Sequence, residues 1–151
     1  MVYRFKYRYD KEIGLYLAEL VSEFIKSNKE LRCADLILPV PASFRSRPFH
    51  PVLFLVNEIS KRTSIPYEKD LLNRTRLSKP QKELKTLKEK WENVKGLFKL
   101  NEPLKIKNKK ILLIDDLFDS GATLNEIAAL FKSSGASKVY VLTLTKTDYI
   151  K

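Results

Sequence analysis

Apolar and polar positions change period several times along the chain, and each change marks an element. Between Lys11 and Ser27 the apolar residues Ile13, Leu17, Leu20, Val21 and Phe24 recur at helical spacing, and Asp10 ahead of them suits an N-cap. Asp35 to Leu38 is a short, mostly apolar run stopped by Pro39-Val40-Pro41, whose prolines cannot donate to a ladder; it reads as a buried strand. A helix is predicted over 51–62, with Pro51 in its first turn and Val52, Leu55, Val56 and Ile59 on one face. Tyr67 to Leu72 and Val94 to Leu100 read as further strands. Ile111 to Ile114 are all apolar, the mark of a parallel strand buried on both faces, in a strand predicted over 110–114. A helix over 123–134 stopped by Gly135, and a strand over 138–145, close the pattern. Residues 2–9 alternate aromatic or apolar with basic residues, as in a short strand or an extended arm. Residues 73–92 are polar and rich in lysine, a long excursion that is partly helical around 84–92.

Strands alternating with helices, without repeat or linker, predict one α/β domain spanning 1–151, with a mainly parallel central sheet flanked by helices. The length is enough for a sizeable core, and 44% hydrophobic with 31% charged residues is ordinary for a soluble globular protein. No run approaches the ~20 apolar residues of a membrane span and no signal-peptide pattern opens the chain, so no membrane partner is expected. The single cysteine, Cys33, excludes an intrachain disulfide and a Cys-rich zinc module; it reads as a small residue near the edge of a core strand, and a reducing, cytoplasmic setting follows. The formal charge of +11 has two readings: a field that steers an anionic small ligand, or a surface that holds nucleic-acid phosphates. The lysines are densest over 79–110 and are not interleaved with aromatics as on a stacking platform.

The chemistry concentrates at 111–124. Four apolar residues lead into Asp115-Asp116, then the small-residue loop Asp119-Ser120-Gly121-Ala122-Thr123, then an amphipathic run from Leu124. Carboxylates at a strand's carboxyl end can accept hydrogen bonds from sugar hydroxyls or hold a cation. A loop of Ser, Gly and Thr lets backbone N–H groups approach a phosphate, which the following helix N-terminus also favours. A Walker loop or a dinucleotide fingerprint would place its glycines directly after the strand, and this chain has neither.

Ile114 to Thr123 resembles the phosphoribosyl-diphosphate (PRPP) motif of type I phosphoribosyltransferases. Ala34 to Pro41 resembles the strand and pyrophosphate-loop entry of the ComF branch of that family. Lys79-Pro80-Gln81 and Asn93-Val94-Lys95-Gly96-Leu97-Phe98 resemble two further segments of the branch, and Phe5-Lys6-Tyr7 resembles the Lys-Tyr ahead of its first helix. The resemblance covers about 4–147. It departs in having no Cys-rich zinc segment and a shorter loop after Pro41. That loop ends Arg47-Pro48-Phe49-His50 in place of Arg-Gly-Phe-Asn. Asp119 stands where the branch more often has Thr, as in the 6-oxopurine enzymes.

The resemblance implies a type I phosphoribosyltransferase-like, Rossmann-like fold and displacement of pyrophosphate from C1 of PRPP by a nitrogen acceptor it does not identify. Asp115 and Asp116 would face the ribose hydroxyls and, with Asp119, form the catalytic set. Mg2+ would sit mostly on substrate oxygens and waters, with Asp115 or Asp116 as its protein ligand. Asp119, Ser120, Gly121, Ala122 and Thr123 would cradle the 5-phosphate, Thr123 also serving as a helix cap. Val40, Pro41 and Ala42 would form the pyrophosphate loop, with Arg45 and Arg47 as its cations. Asp119 either exchanges a proton with the acceptor base or opens the turn by an Asx hydrogen bond. The 73–92 excursion corresponds to the mobile loop that closes over such a site, with Lys79, Lys82 and Lys85 able to add charge. Trp91 reads as a core or hinge aromatic and His50 as a helix-start residue. The hood that recognises the acceptor would come from the N-terminal arm and residues 42–50. Two alternatives stay open: a catalytically silent PRPP sensor, and a DNA-uptake (competence) accessory protein. A nucleic-acid contact through the basic surface and a homodimer are the partners that remain beside PRPP and its acceptor.

Overall fold

The computed structural model describes residues 1–43, 49–79 and 83–147. Its centre is a three-stranded parallel sheet in the order β1 (Leu36–Pro39), β4 (Lys110–Phe118), β5 (Lys138–Lys146). The remaining elements are α1 (Val2–Arg8), α2 (Lys11–Ser27), α3 (Pro51–Thr63), β2 (Leu72–Arg74), α4 (Leu87–Val94), β3 (Phe98–Leu100) and α5 (Ala122–Ser133). Side chains on β1 and β4 alternate between two buried layers. Leu36, Leu38, Ile111 and Leu113 pack with α5 and with Leu72 and Phe98; Ile37, Leu112 and Ile114 pack with α2 and α3. Burial on both faces is why these strands read as unbroken apolar runs.

Four features of the sequence reading need correction. Residues 2–8 form a helix, not a strand or arm: Val2 and Phe5, three apart, turn inward, while Tyr3 and Tyr7, four apart, sit outside with ring centroids 4.8 Å apart. Helix α2 does start at Asp10, whose carboxylate accepts from Ile13 N, but its buried face is rotated. Gly14, Leu17, Ala18, Ser22 and Ile25 are inside, whereas Leu20 and Phe24 are about half exposed. The small ridge Gly14-Ala18-Ser22 brings α2 close to its neighbours, and Ser22 Oγ is satisfied by Ala18 O at 2.6 Å. Tyr67 makes only a single parallel bridge to Ile37; the chain turns at Lys69-Asp70 and resumes as β2, antiparallel to β3. Finally β4 continues to Phe118, so the acidic pair is part of the sheet, with Asp115 opposite Thr143.

The excursion 73–92 is, over its described residues, tied to its surroundings. Thr86 and Glu89 form a reciprocal capping box that starts α4. Lys79 N donates to Asn93 Oδ1 and Asn93 Nδ2 donates back to Lys79 O, at 3.2 and 2.9 Å. The Arg76 guanidinium donates to the carbonyls of Asn93 and Lys95. Trp91 is neither core nor sheltered, at 44% exposed, and Cys33 is exposed in a turn (Leu31–Cys33) ahead of β1.

Candidate functional site

Three connections converge at the carboxyl edge of the sheet: the loop after β1, the end of β4 with the loop into α5, and β2. Together they line a cleft of about 1190 Å³. Val40, Pro41, Ala42, Asp115, Asp116, Asp119, Ser120, Gly121, Ala122 and Thr123 all line it. Lys79 and His50 reach it, Lys85 does not line it, and Arg45, Arg47 and Lys82 lie outside the described residues.

The loop between β4 and α5 is shaped for an anion. Gly121 adopts φ 79, and a Cβ there would stand 3.0 Å from the Phe118 ring and 3.2 Å from Asn125 Nδ2, so only glycine fits without strain. Gly121, not Thr123, is the N-cap; Thr123 sits inside the first turn. Ser120 Oγ accepts from Ala122 N, while the Thr123 and Leu124 amides have no hydrogen-bond partner among the described residues. Amides left open at the start of a twelve-residue helix, with the dipole behind them, form a site for a phosphate.

The two carboxylates differ. Asp116 Oδ2 takes the Lys6 ammonium at 2.6 Å. Asp115 is pushed up to about 7, first by burial and then by the adjacent Asp116 charge; the amide of Asp116 at 2.8 Å, Lys6 and Arg74 pull the other way. Asp119 Oδ2 meets Lys90 Nζ of α4 at 2.7 Å, and Lys90 is almost wholly buried. Among the described residues no group of three or more His, Cys, Asp or Glu side chains is placed to hold a metal ion.

Three lysines or arginines that the sequence left without a role therefore build the site. Arg74 is the hub: Nε donates to Pro41 O at 3.0 Å, and the two terminal nitrogens donate to Ser78 Oγ at 3.0 Å and Ser43 Oγ at 3.4 Å. Its guanidinium lies 5.1 Å from the Phe98 ring centroid, and burial holds its pKa below the usual guanidinium range against the pull of Asp115. Lys6 is delivered by α1, which is docked through Phe5: that ring is fully buried against Phe49 and Phe54 and fills the notch at Gly14. Lys6 falls in the Phe5-Lys6-Tyr7 segment that resembles the family's Lys-Tyr; nothing in the sequence distinguishes Arg74 or Lys90 among 29 basic residues.

Residues 53–148 match the family described as Phosphoribosyl transferase domain. The chain is 28% identical over 156 residues to Competence protein F of Haemophilus influenzae, and 27% identical over 153 residues to the DNA utilization protein YhgH of Escherichia coli strain K12. Each comparison takes in 97% of this chain and 66% of the relative, so the chain spans about two thirds of the length of these relatives. The fold is similar to that of the adenine phosphoribosyltransferase of Leishmania donovani, with a TM-score of 0.60 at 16% identity over 95% of this chain and 56% of that one.

Proposed function

Because the chain belongs to the phosphoribosyl transferase domain family, we propose that the cleft binds PRPP and transfers its phosphoribosyl group to a nitrogen nucleophile. The observation that carries the reading is the meeting of the Asp115-Asp116 pair, the open amides at the start of α5 and the Arg74-braced loop at Pro41 in one cleft. Each suits one part of PRPP: hydroxyls for the carboxylates, the 5-phosphate for the amides, the pyrophosphate for the Pro41 loop. In the transfer, the C1–O bond to pyrophosphate breaks as the acceptor nitrogen bonds to C1 from the opposite face, and the nitrogen loses a proton.

Asp116, ion-paired with Lys6, and Asp115, poised to accept or give a proton near neutrality, would fix the ribose. The adjacent carboxylates of Asp115 and Asp116, with no third His, Cys, Asp or Glu grouped with them among the described residues, fit a Mg2+ that arrives on the substrate and keeps its waters. Bound there, the ion would neutralise charge on the departing pyrophosphate. A second reading, PRPP binding without turnover, is favoured by Asp119, whose carboxylate is engaged by Lys90 on the cleft wall.

The test is thermal unfolding with PRPP and Mg2+. A ligand at ~100 times its Kd adds about 2.7 kcal/mol of stability. We expect a rise in Tm with millimolar PRPP, abolished in Asp115→Asn and Asp116→Asn. No shift in the parent protein rejects the site. Pyrophosphate release with purines, pyrimidines, ammonia or glutamine then separates transferase from sensor.

A further inference from the structure

The charge of the chain has a second concentration, at the end of the sheet opposite the cleft. The turn before β4, the end of α5 and the start of β5 bring Lys107, Lys109, Lys110, Lys132 and Lys138 together around Gly135–Ser137. The Asn108 amide donates to Gly135 O at 2.8 Å, and Lys109 O accepts from the amides of Ser137 and Lys138. A Cβ at Gly135 would lie 3.4 Å from Lys107 Cγ, so the stem of that lysine crosses the glycine closely. Lys110 and Lys138 are register partners on adjacent strands, and Lys132 Nζ donates to Ser137 O. Four of the five are exposed. Lys107, Lys109 and Lys110 make no ion pair among the described residues, while Lys26, Lys61 and Lys105 elsewhere do. The nearby acids are Glu30, 3.9 Å from Lys138, and Asp35, which accepts the Lys110 amide.

This cluster does not serve the cleft. From Lys110 to Asp115 is five strand residues, about 16 Å. That is roughly two Debye lengths at physiological salt, so its field at the acidic pair is screened. Leu104, exposed on the turn whose carbonyl accepts from the Lys107 amide, is a single apolar side chain beside the cluster, too little to anchor it in a bilayer. We propose that the lysine cluster at the amino edge of the sheet docks the phosphate backbone of a nucleic acid, without reading its bases. Five ammonium groups from three segments, mutually repelling and short of counter-charge, gain when a polyanion releases its counterions on them. The Tyr140 ring beside them is packed against the core with Lys138 Nζ 5.5 Å from its centroid, so it is a poor platform for stacking bases, and the ammonium groups carry no base preference.

The inference is independent of transfer at the cleft, and its test keeps the two apart. Binding of a fluorescein-labelled oligo(dT) of about 30 nucleotides is followed by anisotropy against salt; thymines stack weakly, so binding reports phosphate contact. The variant Lys107→Glu/Lys109→Glu/Lys132→Glu is set against Lys11→Glu/Lys26→Glu/Lys61→Glu, which takes the net charge from +11 to the same +5 on the far side of the sheet. We expect the cluster variant to lose at least ~10-fold in affinity and its log–log salt slope to fall by about 2, at ~0.7 per phosphate contact. The control should keep the parent slope, and both should keep the PRPP-dependent Tm shift of the parent. Equal weakening of both variants overturns the proposal, as does parent binding that vanishes by ~150 mM salt. Binding to phosphatidylserine vesicles in place of the oligonucleotide overturns it too.

Discussion

The Nζ of Lys6 lies 2.6 Å from Oδ2 of Asp116, so the first helix of the chain supplies the counter-charge for the central strand's acidic end. Both side chains are largely sheltered, which makes the pair worth more than a surface ion pair. Lys6 also pulls the pKa of Asp115 down. Lys6→Met should therefore move the Asp115 titration above about 7, read by NMR of the carboxyl carbon. A titration identical to that of the parent protein would mean that the ion pair is not populated in solution.

Asp115 has a cost in stability whose sign follows from linkage. Its folded pKa of about 7 lies above the ordinary 3.8, so between these values the folded state holds more protons than the unfolded one. Stability from this group then falls as pH rises through that window, and nothing is lost below it. Asp115→Asn should be neutral near about pH 4 and stabilising by on the order of 2 kcal/mol near about pH 8, allowing for partial solvent access. For a chain of this length that is ~4–8 °C in Tm. A stabilisation independent of pH would assign the gain to packing.

Gly14 tests how α1 is held. Glycine to alanine inside a helix ordinarily gains about 1 kcal/mol. Here the added Cβ would stand 2.5 Å from the Phe5 ring and 2.7 Å from Phe54. The sign should reverse, with Gly14→Ala costing ~1–3 kcal/mol in chemical denaturation. The same variant should weaken the pull of Lys6 on Asp115, since Phe5 and Lys6 are neighbours on one short helix. A stabilised Gly14→Ala would show that α1 docks elsewhere.

The parallel sheet and the cleft's main-chain parts were legible because they rest on strong local signals: β-strand runs buried on both faces, a proline stop, an acidic pair before a glycine loop. What was not legible depends on packing. The α2 stripe was misjudged because hydrophobicity weights Leu20 and Phe24, while close approach selects Gly14, Ala18 and Ser22. Residues 2–8 alternate with period two in composition but fold with period 3.6, because one residue, Phe5, finds a notch. Arg74 and Lys90 carry no motif. Their roles arise only when β2 and α4 are folded back against the ends of β1 and β4.

Arg74 joins the Pro41 loop to Ser78 through three directed hydrogen bonds. A lysine keeps the charge but lacks the planar fork. Arg74→Lys should weaken PRPP binding on the order of 10-fold, a loss of about 1.4 kcal/mol, measured by calorimetry. Binding fully restored by Lys would reduce Arg74 to a point charge.

Asp119 decides between two chemistries. Its Oδ2 accepts from Lys90 Nζ at 2.7 Å, with the lysine nearly buried and the carboxylate side chain 23% exposed. If the carboxylate serves the loop by holding α4 against it, Lys90→Met should reproduce Asp119→Asn in every readout. Both variants should lose ~1–3 kcal/mol in denaturant unfolding, since each breaks an ion pair between partly sheltered side chains. The double variant should then cost less than the sum of the singles. PRPP binding and any pyrophosphate release should fall together in both. If Asp119 instead exchanges a proton with the acceptor, the variants separate. Asp119→Asn keeps PRPP binding and loses release by ~100-fold or more, the scale of a removed acid–base group. Lys90→Met then keeps release, because the carboxylate that moves the proton is still in place.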